Sequence, residues 1–191
     1  MFKKLLTTRS LCLSAIIAAL YAALTLLLAP ISYGNIQCRV SEAFTVLPMV
    51  LPQSIPGLFV GCLIANIFSP TPSIWDIVFG SLTTLIAACG TYALRKKPVL
   101  AAACPIVANG VIVGLMLALL YGLPVALTMG EVAIGELGAV FLGMVLLTVL
   151  KSRVDFNKIT MNEQTMKTAQ SIAKEENYSV VNCCLSRNFI P

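Results

Sequence analysis

Long stretches without a single charge alternate along the chain with short charged punctuation. Uncharged runs cover 10–38, 43–75, 77–94 and 98–130, and a fifth, 137–150, follows the pair Glu131 and Glu136. A helix needs roughly 20 apolar residues to cross a bilayer. Several runs are long enough, and the fourth leaves room for a loop at Tyr121 to Pro124. The apolar core of the first run, Leu11 to Ala29, is longer than the roughly 7–15 residues of a signal-peptide core, and more spans follow. The pattern therefore predicts a retained first helix.

The run 43–75 is ambiguous, because Pro48, Pro52 and Pro56 interrupt it. It reads either as one kinked span or as two short helices meeting at a tight turn around Pro52 to Ser54. Basic residues favour the cytoplasmic side of a membrane, so parity decides. One span would place Arg95, Lys96 and Lys97 and the basic tail from Lys151 opposite Lys3, Lys4 and Arg9; two spans put all three groups in the cytoplasm. The expectation is six helices, roughly 10–31, 41–51, 54–68, 74–95, 99–121 and 127–151. A four-span chain with a re-entrant 43–68 has the same parity. Domain boundaries follow: a cytoplasmic N-terminus over 1–9, a bundle over 10–151, and a polar, poorly ordered cytoplasmic tail over 152–191 with no identifiable chemistry.

Composition agrees with a membrane protein. Of 191 residues, 58% are hydrophobic and 11% charged, far below the roughly one quarter of a soluble domain. Histidine is absent, which removes Ser-His-Asp triads, imidazole bases and His-bound zinc or haem. The seven cysteines include no CxxC pair, so no disulfide framework and no metal site is expected. The net charge of +5 does not form a nucleic-acid face. Six of the seven basic residues within 1–150 flank apolar runs, as membrane anchors do.

With the anchors set aside, the body keeps five charged residues: Arg39, Glu42, Asp76, Glu131 and Glu136. In the six-helix layout all fall toward the outer end, together with Asn66, and with Asn35 and Gln37 in the first outer loop. Ionisable groups in a membrane mark a site. Structural roles compete with this. Thr128 to Glu131 and Ser73 to Asp76 both fit a capping box, Arg39 and Glu42 have the spacing of a surface ion pair, and Asn66 and Asn109 could be hydrogen-bond glue between helices. Glu136 fits none of these roles; Gly135 and Gly138 beside it would admit a close neighbour. Four acids against one base suit a neutral or cationic ligand rich in donors and disfavour an anion. Trp75 and Tyr33 read as interfacial anchors or as rings able to stack on a flat ligand.

Two rows of small residues line the first helix, Ala15, Ala19 and Ala23 beside Ser14, Ala18 and Ala22. Such rows admit a neighbouring helix, either within the chain or on a separate subunit. There is no P-loop and no evident internal repeat, so energy for transport would have to come from a partner.

The stretch Ala29-Pro30-Ile31-Ser32-Tyr33-Gly34-Asn35-Ile36-Gln37-Cys38-Arg39-Val40-Ser41-Glu42-Ala43-Phe44-Thr45-Val46-Leu47-Pro48 resembles the signature of the queuosine precursor transporter family, QueT. Segments Pro56 to Asn66 and Asp76 to Leu82 are similar to its second and third blocks, and the resemblance covers residues 8–151. The segment after Arg153 departs from the family's usual short ending. The family belongs to the substrate-binding S components of energy-coupling factor (ECF) transporters. The resemblance implies a six-helix transmembrane bundle in the bacterial cell membrane with both termini cytoplasmic. It also implies that the first-helix alanine rows dock on a transmembrane coupling subunit, that two ATPase subunits use the ATP, and that this chain carries no cofactor and is not an enzyme.

The implied ligand is a 7-deazaguanine, most often the 7-aminomethyl form, captured outside and delivered inward as the S component topples in the bilayer. One carboxylate can accept both N–H groups of a guanine-like edge, and an aminomethyl cation takes a second. On this resemblance Glu136 takes the edge, Glu42 or Asp76 the cation, and Asn66 or Arg39 donates to the ring carbonyl. Three other readings stand beside it: an S component for another neutral or cationic vitamin, an intramembrane enzyme with paired carboxylates, and a small channel or structural membrane protein.

Overall fold

The computed structural model describes residues 8–32, 39–70 and 72–153. One compact unit covers Met1–Leu150 and a second Lys151–Pro191; of the second, only the end of a helix is described. The polar tail therefore lies almost wholly outside the described residues. All regular structure among the described residues is helical. Helix α1 spans Thr8–Leu27 and is followed by a single turn, Ala29–Ser32; a 3-10 helix takes Val40–Met49. Helix α2 is Ser54–Ile67, α3 is Asp76–Ala93, α4 is Pro98–Tyr121 and α5 is Val125–Arg153. The ends lie within a few residues of those expected from the charge pattern.

Helices α1, α3, α4 and α5 are long and apolar enough to cross a membrane. The 10-residue 3-10 helix and the 14-residue α2 are shorter. At about 2.0 and 1.5 Å per residue each rises roughly 20 Å, against a hydrocarbon core of about 30 Å.

Side-chain registers give the direction of each rod. Gly57 faces Ser14 and Gly61 faces Ala18, a constant offset, so α1 and α2 are parallel. Tyr21 meets Glu42 and Thr25 meets Ser41, which makes the 3-10 helix antiparallel to α1. The pairs Cys62–Thr84 and Asn66–Asp76 set α3 antiparallel to α2. Gly90–Cys104 and Thr91–Ala101 do the same for α3 and α4, as do Gly110–Ala133 and Gly114–Met129 for α4 and α5. The run 43–75 is thus two antiparallel segments. They join where the amides of Val50 and Leu51 close on the Leu47 carbonyl and that of Ser54 on Leu51.

Many bulky apolar side chains face outward, among them Leu11, Ile16 and Leu20 on α1 and Phe141 and Leu142 on α5, while the interior combines an apolar core that includes Tyr21, Val46, Leu58 and Val140 with small and polar residues. Contiguous exposed hydrophobic surface of this kind belongs in lipid rather than water. Inside, glycines allow backbones to touch. A Cβ on Gly57 would stand 2.5 Å from the Ser14 carbonyl oxygen, and one on Gly61 2.8 Å from that of Ala18. This contact corrects one expectation. Ala18 and Ala22 are buried within the chain, so they are not available as a docking row, whereas Ala15, Ala19 and Ala23 form an exposed row on α1.

Two features shape α4. Gly122 sits at φ +65 after Tyr121, in the left-handed region that glycine adopts freely, and the Leu123 amide closes on the Ala118 carbonyl at 3.0 Å. The expected loop at Tyr121 to Pro124 is this turn. Upstream, Pro105 lies inside the helix and cannot donate to the Ala101 carbonyl. The Thr91 hydroxyl of α3 donates to that carbonyl instead, at 3.2 Å, and both residues are fully buried. Thr91→Val keeps the shape and removes the donor. It should lower stability by roughly 1–3 kcal/mol, seen as a lower melting temperature in detergent.

Candidate functional site

Several threonine hydroxyls are satisfied by nearby backbone, whereas the buried hydroxyls of Ser10, Ser32 and Ser81 have no partner among the described residues. Thr25, Thr83, Thr84, Thr128 and Thr148 each donate to the carbonyl four residues earlier, at 2.6–3.1 Å. The charged and amide side chains behave differently. Arg39, Glu42, Asn66, Asp76, Asn109 and Glu136 are all at least nine-tenths buried. Glu42 Oε2, Asn66 Oδ1, Asp76 Oδ1, Asn109 Nδ2 and Glu136 Oε1 have no hydrogen-bond partner among the described residues. A buried polar group left unpaired costs about 1–3 kcal/mol, so five in one bundle call for an explanation beyond packing.

Local geometry explains how they converge. A 3-10 helix has three residues per turn, so positions three apart stack on one face. Arg39, at the start of that helix, and Glu42 and Thr45 within it share such a face, all buried. Tyr21 of α1 donates to Glu42 Oε1, and Thr84 of α3 lies 3.1 Å from the same oxygen. Arg39 Nη1, Asn66 Nδ2 and Thr84 Oγ1 surround the buried Cys62 sulfur at 3.8, 3.5 and 3.3 Å. Asn66 also donates to the Asp76 backbone carbonyl at 2.9 Å, which ties the end of α2 to the start of α3.

Asp76 and Asn109 each open a π-helical turn, Asp76–Gly80 in α3 and Asn109–Val113 in α4. Such single π turns within α-helices recur at functional sites. In the first, Gly80 leaves room for the polar side chains, since a Cβ there would stand 3.0 Å from Asn66 Nδ2 and 3.6 Å from Arg39 Nη1. In the second, Gly110, together with Gly114 just past the turn, lets α5 approach closely. Glu136 of α5 lies next to the Asn109 side chain and within electrostatic reach of Glu42 and Arg39.

Arg39, Glu42, Asn66 and the Asp76 backbone are thus linked through Cys62 and Thr84, and the buried Glu136 lies within electrostatic reach of Arg39 and Glu42. Competing structural roles can now be sorted. Glu42 is no surface ion-pair partner, being 2% exposed and bonded by Tyr21. The capping box at Thr128 fails because α5 already begins at Val125 and Thr128 bonds back to Pro124; Glu131 is exposed. Ser73 does stand at a helix start, its carbonyl receiving the Ile77 amide, yet Asp76 Oδ1 remains unpartnered. Gly135 is buried, but Gly138 has nothing within 4 Å. Trp75 is half exposed and stacks on Phe79 with centroids 5.8 Å apart. Both line an outward apolar hollow of about 420 Å³ with Ile112, Met116 and Leu119. Tyr33, Asn35 and Gln37 lie outside the described residues.

Sequence reasoning did not single out Tyr21, Thr84 or Cys62, and it left Asn109 undecided. Tyr21 had one signal, as the sole aromatic in the apolar helix α1. If all are ionised, the three carboxyls outweigh the single guanidinium among the described network residues. In a low-dielectric interior, such a network favours a cationic occupant with many N–H donors. No three Asp, Glu or Cys side chains among the described residues are grouped to hold a metal ion.

The family model described as QueT transporter matches residues 11–152. A relative named Queuosine precursor transporter QueT, from Lactococcus lactis subsp. cremoris (strain MG1363), is 31% identical over 160 residues, covering 75% of this chain and 93% of the relative. No solved structure matches the chain.

Proposed function

The chain belongs to the QueT transporter family, and from that premise we propose that it is the substrate-capturing S component of an ECF-type transporter for a queuosine precursor, a 7-deazaguanine such as the 7-aminomethyl form. It is a multi-pass membrane protein with four helices of crossing length. In this reading the 3-10 helix and α2 complete a six-helix transmembrane bundle. Both termini are cytoplasmic, with Arg95, Lys96 and Lys97 and the end of α5 on that side, and the acid cluster opens outward. The single observation that carries the reading is the set of buried polar atoms without partners around Arg39. They supply four acceptors and one donor, which suits a donor-rich cationic base better than an anion.

The protein acts as a carrier rather than a catalyst. Glu136 and Glu42 take up ring donors and the aminomethyl cation, Asp76 adds a third carboxylate, and Arg39 moderates their mutual repulsion. Movement inward requires a transmembrane coupling subunit and two ATPase subunits, because no P-loop is present in this chain. The exposed row Ala15, Ala19 and Ala23 is the surface offered to the coupling subunit, where small side chains permit close helix approach. Calorimetric titration of the detergent-solubilised full chain with guanine, queuine and the 7-cyano and 7-aminomethyl deazaguanines tests this. Saturable binding is expected, tightest for the aminomethyl form. Absence of heat from every deazaguanine overturns the assignment.

A further inference from the structure

The orientation of the Asn66 amide is fixed by its surroundings. Its Nδ2 donates to the Asp76 carbonyl at 2.9 Å and lies 3.5 Å from the Cys62 sulfur. Turning the amide over would set Oδ1 against that carbonyl oxygen, acceptor against acceptor. What Asn66 leaves unpartnered is therefore Oδ1, an acceptor. Of the two donors expected for the ring carbonyl, Asn66 or Arg39, Asn66 already has its amide nitrogen engaged.

Asn109 is left with the opposite atom. Its Nδ2 has no partner among the described residues, and the residue is 6% exposed. It stands beside Glu136, near enough for its amide to act on that carboxyl as a hydrogen-bond donor, although neither Nδ2 nor Glu136 Oε1 has a partner at hydrogen-bond distance among the described residues; of the two Nδ2 hydrogens, at least one is left for a ligand. The two sit on antiparallel helices held close by glycine. A Cβ on Gly110 would meet that of Ala133 at 3.1 Å, and one on Gly114 would meet the Met129 backbone at 2.7 Å. A buried donor beside a buried acceptor is the complement of a lactam edge, in which a ring N–H adjoins a carbonyl.

Resting on the proposed deazaguanine function, we infer that Asn109 is the specificity-determining partner of Glu136. Asn109 Nδ2 donates to the ring carbonyl while Glu136 accepts the neighbouring ring N–H and exocyclic amine. Asn66, with Glu42 and Asp76, supplies acceptors only. The pair then distinguishes a 6-oxo ring from a 6-amino ring, because an amino group at that position would set a donor against the Asn109 donor and remove the ring N–H that Glu136 accepts. Sites that hydrogen-bond a buried polar group reject analogues that leave it unpaired by large factors.

The test titrates the full chain with two probes, 7-aminomethyl-7-deazaguanine and its 2,6-diamino counterpart, in which the ring carbonyl is replaced by an amino group. The wild-type protein should prefer the carbonyl form about a hundredfold or more. Equal affinity for the two overturns the inference and leaves the proposed function standing, whereas failure of both to bind overturns both. In Asn109→Asp the donor becomes an acceptor, and the preference should fall at least about tenfold or invert. Glu131→Gln, at an exposed carboxylate outside the network, should leave the ratio of the two affinities unchanged. A ratio that is the same in Asn109→Asp as in the wild type overturns the assignment. Because each ratio is measured within one protein, and the wild-type ratio needs no variant, a folding defect cannot mimic the expected result.

Discussion

Glu136→Gln should weaken binding of 7-aminomethyl-7-deazaguanine about a hundredfold or more while leaving the unliganded protein at least as stable as before. Two charge-assisted hydrogen bonds converge on this carboxylate in the proposed complex, each contributing about 1.5–3 kcal/mol. Glutamine retains one acceptor and turns an NH2 donor toward a ring donor. At least one such bond is lost and a repulsion is added, together roughly 3 kcal/mol, or about two orders of magnitude in affinity. The free protein responds differently. Glu136 is 5% exposed, has an unpartnered oxygen and lies near the Glu42 carboxyl. A neutral amide there relieves like-charge repulsion and the desolvation of an ionised group. Calorimetry and thermal denaturation on the same preparation separate the two effects. Unchanged affinity removes Glu136 from the site, and a large drop in melting temperature without ligand makes it a structural residue instead.

The second large effect concerns a residue that contacts no ligand. Gly61→Leu should lower stability by roughly 3 kcal/mol and weaken ligand binding as well. A Cβ at that position already meets the Ala18 carbonyl oxygen at 2.8 Å and the Tyr21 Cβ at 2.9 Å, and the first of these is backbone that cannot rotate away. Helix α1 must withdraw from α2 and carry Tyr21 with it, so the hydroxyl that donates to Glu42 leaves its place. Gly138→Leu is the matching control, since nothing lies within 4 Å of a Cβ there. Equal melting temperatures for the two variants would show that α1 and α2 are not in backbone contact.

Much of this was legible in the pattern of charges. Lipid enforces a simple rule, apolar side chains outward and backbone bonds closed within each rod, so uncharged runs delimit helices closely. The turn near Pro52 followed from the same rule together with the basic flanks. Rare polar residues were equally visible, because nothing in a bilayer-facing surface explains Glu42 or Glu136. Other features were hidden for physical reasons. Whether Ser14, Ala18 and Ala22 pack inside or outside depends on Gly57 and Gly61, some 43 positions away, and small residues suit either use. Local propensity also does not announce the π turns at Asp76 and Asn109, which depend on tertiary packing. Asn66 and Asn109 are alike in sequence; the Asp76 carbonyl fixes the amide of Asn66, and the Glu136 carboxyl lies beside that of Asn109.

The 3-10 helix sets a constraint on the molecule's evolution. In a coil wound three residues to the turn, each position is one third of a revolution from the next. Exchange of one side chain for another along Val40–Met49 leaves that phase intact. Loss or gain of a single residue between Arg39 and Thr45 would swing one end of the stack by about 120°, parting the guanidinium from the carboxylate three positions along. Divergence across this decamer should therefore proceed by substitution, with insertions and deletions confined to the segments on either side.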